Sequence, residues 1–141
     1  KLIEECLIQH NINLQTSLNA TLEQCDPTNY LEQIKAIFHW YTVWFESEDF
    51  NGSMFQKALI EVIKIYPSTL KPATEYKTWL TNLTQNLLRN MDIQNPNHLA
   101  NLIVSILDGM TIQAHINRHT VQLEEYWKRV EHLIQFEKSM A

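Results

Sequence analysis

His115 and His119 stand four residues apart, a spacing that on one continuous helix would turn both imidazoles to the same face, as a metal pair needs. Two nitrogens do not complete a site. No His-Glu-x-x-His run or cysteine pair supplies the others, and a helix C-terminus favours histidine through its dipole alone, so the expectation is no metal. Catalytic signatures are lacking too: the chain has no phosphate loop, no Gly-x-Ser-x-Gly elbow and no cysteine with a motif-defined histidine partner. Cys6 reads as a small core hydrophobe rather than a nucleophile. Asp108 lies in an apolar stretch, but Asn97, Asn101 and Ser105 recur on the same side, so a polar stripe is preferred there to a ligand contact. No catalytic residue and no cofactor is expected, and the chain reads as a binding protein rather than an enzyme.

The aromatic residues are more suggestive. Phe38, Trp40, Tyr41, Trp44, Phe55, Tyr76 and Trp79 are concentrated in the middle of the chain. Most must fill a core, yet tyrosine and tryptophan carry polar tips that need partners when buried, and several converging on one bundle can line a cavity. Tyr41, Trp44, Phe55, Tyr76 and Trp79, with His10 adding a polar contact, are the candidate ligand-binding residues. Such walls suit a small hydrophobic or aromatic effector.

Helices must position these groups. The 141 residues suit one domain, taken as 1–141, with a core burying about two-thirds of the unfolded surface. With 45% hydrophobic residues but only 2 Gly and 4 Pro, few positions suit hairpins. A first helix runs to about Glu23 on the stripe Leu2, Ile3, Cys6, Leu7, Leu14, Leu18 and Leu22. Asp26-Pro27 supplies a cap and a first-turn proline for a second helix, apolar on most of its circumference through Ile34, Ile37, Phe38, Trp40, Tyr41, Val43, Trp44 and Phe45, and therefore central. Ser53 and Gln56 form a capping box for a third helix of near 14 residues, carrying Phe55, Leu59, Val62, Ile63 and Tyr66 up to Pro67. A fourth follows Ser68 and ends near Asn90, with Pro72 in its first turn. Asn95-Pro96 opens a fifth, and Thr120 caps a sixth. The fold class is all-α, a six-helix bundle.

Charge and sulfur narrow the setting. Net charge is -5 and the longest basic run is Lys128-Arg129, which leaves no clustered cations for phosphate backbones. Cys6 and Cys25 would lie about five turns apart on one helix, too far for a disulfide, which favours a reducing, cytoplasmic location. No apolar run reaches the roughly 18 residues of a membrane span, so a soluble chain without membrane contact is expected. The helical stripe begins at Leu2 without a cap, which reads as a chain cut from something longer, a naturally abrupt start being the alternative.

Phe50-Asn51-Gly52-Ser53, continuing through Ala58 to Glu61, is similar to the Phe-x-Gly-Cys stretch entering a middle helix of the TetR-like family of regulators. Ile106-Leu107-Asp108-Gly109-Met110 looks like its Leu-Asp-Gly-Leu segment in the penultimate helix. Asp26-Pro27 and the six-helix order also fit, so the resemblance covers essentially the whole chain. It implies the C-terminal effector-binding and dimerisation domain of a repressor, in which a bound small molecule alters the spacing of two DNA-reading heads. Operator DNA would be met only through an N-terminal helix-turn-helix domain joined at Lys1. Ser53 replaces the family's cysteine, which argues against thiol sensing there.

The resemblance further implies a homodimer through the last two helices, a two-fold four-helix contact. Gly109 inside a helix costs about 1 kcal/mol against alanine, and close approach of a neighbouring helix is the expected compensation, from a partner or from the same chain. Ile106, Gly109, Met110 and Gln113, with Leu123, Trp127, Val130 and Ile134, are the candidate interface. The rivals are a structural dimerisation bundle with a solid core, and a small helical enzyme or metal carrier.

Overall fold

The computed structural model describes residues 2–61, 64–65, 67–117, 119 and 121–140. Six α-helices follow one another: α1 Leu2–Glu23, α2 Tyr30–Glu46, α3 Met54–Glu61, α4 Leu70–Arg89, α5 Pro96–Ile116 and α6 Leu123–Ser139, with a 3-10 turn, Pro67–Thr69, before α4. The all-helical class is thus as the composition implied.

Local chemistry sets the boundaries. Pro96 occupies the first turn of α5, where its missing N–H costs nothing. Asn29 caps α2, its side chain accepting from the Glu32 amide at 3.1 Å. The expected cap, Asp26, instead closes a turn three residues earlier, accepting from the Thr28 amide at 2.9 Å and the Thr28 hydroxyl at 2.8 Å. Aspartate serves both structures with the same short acceptor, which is why Asp26-Pro27 imitates a helix start. Helix α3 is described over Met54–Glu61, and residues 64–65 form a turn, so it is shorter than the near 14 residues expected; Val62, Ile63 and Tyr66 lie outside the described residues, as does Thr120, the expected cap of α6.

Helix α2 is the hub, packing against α1, α4, α5 and α6. Ile34, Ile37, Phe38 and Phe45 are at most 1% exposed, and Trp40, Trp44 and Leu31 pack partly buried around them. Leu7, Leu14 and Leu18 of α1, at spacings of seven and four, supply one cover. The beginning of the predicted α1 stripe does not join the core: Leu2, Ile3 and Cys6 are exposed beside an open groove shared with Met54 and Lys57 of α3. Cys6 is therefore not the core residue its apolar neighbours suggested.

Helices α4 and α5 form the most extensive pair. Two buried threonines sit in them, each donating its hydroxyl to the carbonyl four residues back, Thr84 to Leu80 and Thr111 to Leu107, both at 2.8 Å. That bond lets a polar residue enter a core without an unmet group. By length and composition α5 would suffice to cross a membrane, although no uninterrupted apolar run of that length occurs. Its apolarity serves the bundle through Leu99, Ile103, Leu107 and Met110, none more than 2% exposed.

Candidate ligand-binding site

Where α2, α3, α4 and α5 meet, a cavity of about 110 Å³ remains. Tyr41 and Trp44 of α2, Phe55 of α3 and Tyr76 of α4 form its aromatic walls. Their convergence follows from helical spacing: Tyr41 and Trp44 are three apart and share a face of α2, while Tyr76 sits one turn after Ala73 on the buried side of α4.

The Tyr41 and Tyr76 hydroxyls hydrogen bond to each other at 2.6 Å. Both residues are buried, and this bond is what makes burying two polar tips tolerable. Phe55 stacks on Tyr76 with ring centroids 5.3 Å apart and planes 26° from parallel. Burial pushes the Tyr41 phenol well above its ordinary pKa, with the Tyr76 phenol and the Asp108 charge adding to the shift. Tyr76 is raised chiefly by the same burial. Both remain neutral hydroxyls at physiological pH.

Asp108 reaches this wall from α5. Its carboxylate lies 3.8 Å from the Lys77 ammonium of α4, and burial lifts its pKa against the opposing pull of that lysine. The pair is partly exposed and contributes little to stability. The polar-stripe reading therefore grouped Asp108 wrongly: Asn97, Asn101 and Ser105 face solvent, whereas Asp108 sits one turn after buried Val104 and three residues before buried Thr111. That i−4, i+3 placement at the edge of the apolar arc is the signal in the sequence that marks it. Ser53, Gln56 and Lys77 also line the cavity and were not anticipated there.

The capping box is half formed. The Ser53 hydroxyl accepts from the Gln56 amide at 3.3 Å, but the Gln56 side chain, instead of turning back, donates to the Asp108 carbonyl at 3.1 Å. A second tie joins the same segments: a Cβ on Gly52, whose φ is +81°, would fall 2.7 Å from the His115 ring. Glycine is required there by both conformation and space. Helix α5 ends at Ile116, and Asn117 accepts from the His119 amide in a separate turn. His115 and His119 thus do not share a helix, and the geometry behind a metal pair is lost. Among the described residues no cluster of three or more His, Cys, Asp or Glu side chains could hold a metal ion.

Two expected contacts lie one layer out. His10 packs on Phe55 at 5.0 Å and Trp79 on Tyr76 at 6.1 Å; neither lines the cavity. The buried His10 Nε2 has no hydrogen-bond partner among the described residues, and burial lowers its pKa, keeping the imidazole neutral. A larger depression of about 690 Å³ lies between the N-terminal ends of α2 and α6, but it is open and lined by Glu32, Lys35, Glu124, Lys128 and Glu131. Solvated charges of both signs give it no selective character.

The expected interface divides. Met110, Trp127, Val130 and Ile134 are at most 3% exposed within the single chain, with Trp127 packed on Phe38 of α2 at 5.6 Å. Their apolar surface is satisfied internally by α2, so they are corrected from partner contacts to core. Ile106, Gly109, Gln113 and Leu123 keep accessible surface. Nothing lies within 4 Å of a Cβ placed on Gly109, so no helix of its own chain makes a close approach. Further exposed apolar residues accompany them: Leu102, Ile112 and Ile116 on α5, Phe136 on α6 and Met140 just past its end. The Tyr126 hydroxyl of α6 donates to Gln113 of α5 at 2.6 Å.

No protein-family model, curated protein sequence or solved structure matches this chain.

The tyrosine pair gives a direct test. Tyr41→Phe leaves the Tyr76 hydroxyl buried and unpaired, at a cost of about 1–3 kcal/mol, and the double replacement Tyr41→Phe, Tyr76→Phe is expected to cost less than the two single changes summed. Urea denaturation of the four proteins measures the coupling. Because the folded state holds both phenolic protons after an unfolded chain would release them, stability falls as pH rises above about 10, and the double variant loses that dependence.

Proposed function

We propose that this chain is the effector-sensing and dimerisation domain of a TetR-like transcriptional repressor, cytoplasmic and without enzymatic activity. A small hydrophobic or aromatic molecule among α2, α3, α4 and α5 would control DNA binding by a head outside this chain. One observation carries the reading. The two segments that bear the resemblance, 50–61 and 106–110, are far apart in sequence yet meet at the cavity, through the Gln56 bond to the Asp108 carbonyl at 3.1 Å. An effector entering there presses on the contact between α3 and α5, and α5 carries Gly109 and the exposed Leu102, Ile112 and Ile116. Binding is thereby linked to the surface a second copy would cover.

The solid-core dimerisation bundle is the second reading, and the size of the cavity favours it. About 110 Å³ is below the roughly 300–1,000 Å³ usual for drug-sized ligands. Under the sensing reading the Tyr41–Tyr76 bond opens and the walls part as the effector enters.

Two measurements test the proposal. Titration with a panel of single-ring aromatic compounds is expected to quench tryptophan fluorescence, and Trp44→Phe to remove most of the response; a response from no compound favours the solid core. Light scattering across a dilution series is expected to give a dimer at micromolar concentration. Gly109→Ala, which meets open space, stabilises the helix by about 1 kcal/mol, while Gly109→Glu keeps the fold and yields monomers. A wild-type chain that is monomeric throughout removes the assembly from the proposal.

A further inference from the structure

We infer that the cavity takes a small organic cation, an alkylammonium or arylalkylammonium group, seated between the Asp108 carboxylate and the aromatic side chains of Tyr41, Trp44, Phe55 and Tyr76. The inference rests on reading this cavity as the ligand site and names the charge of what enters it.

Size comes first. An engineered apolar cavity of about 150 Å³ holds one benzene ring. A space of about 110 Å³ suits a group somewhat smaller, on the scale of a trimethylammonium head.

The walls then decide the sign of charge. Four aromatic rings line the space, and an aromatic ring attracts a cation that reaches its electron-rich face. Asp108 is the acid on this wall. It is partly withdrawn from water, its charge raises the pKa of both phenols, and its ion partner Lys77 is the more exposed member of a pair at 3.8 Å. A cation arriving inside would sit closer to the low-dielectric side of that carboxylate and release Lys77 to solvent. The Tyr41 and Tyr76 hydroxyls, held neutral, offer lone pairs without a further charge. A neutral guest would leave Asp108 with the unfavourable burial it already has. An anion would meet the Asp108 carboxylate, and the Lys77 ammonium that could attract it is the more exposed member of the pair.

Choline and its uncharged isostere 3,3-dimethylbutan-1-ol separate charge from shape. Calorimetric and tryptophan-fluorescence titrations of the wild-type chain are expected to show choline binding about tenfold tighter than the isostere, the scale of a desolvated cation–π contact. Asp108→Asn should erase that preference, and Lys77→Ala, which removes the competing ammonium, should tighten choline while leaving the isostere unchanged. Equal affinity for both compounds, or a choline preference that survives Asp108→Asn in a folded variant, overturns the cation while the ligand cavity stands. If neither they nor the single-ring aromatic compounds bind, the cavity reading falls with it. Should Asp108→Asn fail to fold, Lys77→Ala decides: choline affinity unchanged or weakened overturns the inference.

Discussion

Helix α2 is apolar around most of its circumference, and that single constraint organises the bundle. Fully covering Ile34, Ile37, Phe38 and Phe45 removes from water several side chains worth roughly 1.5–3 kcal/mol each, and no one neighbour can do it. Helices α1, α4, α5 and α6 each take a side. What α6 gives to this task it cannot offer elsewhere. Trp127, Val130 and Ile134 turn inward onto α2, and Phe136 is the large apolar residue left exposed on α6.

The same crowding produces the cavity. Trp44 packs edge-on against Phe50 at 5.0 Å and Tyr41 reaches toward α4, so α2 presents rings where aliphatic side chains would have closed the gap. A small space persists among them. The polar atoms that enter this space are held by one another: tyrosine by tyrosine, Asp108 by Lys77, and the Asp108 carbonyl by Gln56. Under the proposed function, a guest that offers better partners than these displaces them.

Periodicity disclosed the helices because each has one buried stripe, and prolines marked their ends, as at Pro96. It was less informative about partners. Asp26 and Asn29 are both good caps, and only the geometry of the chain reversal selects Asn29. Tyr41, Trp44 and Tyr76 were legible as cavity walls because they are large rings whose polar tips need partners, and Phe55 because it belongs to the same aromatic concentration in the middle of the chain. His10 and Trp79 share their helices' inner faces but stand one layer back, a difference of depth that a one-dimensional pattern does not encode. Asp108 was weighed only as part of a polar stripe, and its pairing with Lys77 escaped notice because it depends on how α4 and α5 are aligned. The apolar stripe of α6 was legible as apolar, but whether it served the same chain or a second one depended on how much of α2 remained uncovered.

The central claim is that a molecule enters between α2 and α4 and meets Trp44. The four tryptophans provide their own control: Trp44 lines the cavity, Trp79 stands behind Tyr76, Trp40 donates its indole N–H to the Ser17 hydroxyl of α1 at 2.8 Å, and Trp127 lies between α6 and α2. The most direct measurement follows the four indole N–H resonances, assigned by single substitutions, as benzylammonium is added. The account predicts that the Trp44 resonance moves most, Trp79 follows, and Trp40 and Trp127 hold their positions. Resonances that all stay fixed, or that move together by similar amounts, would contradict it.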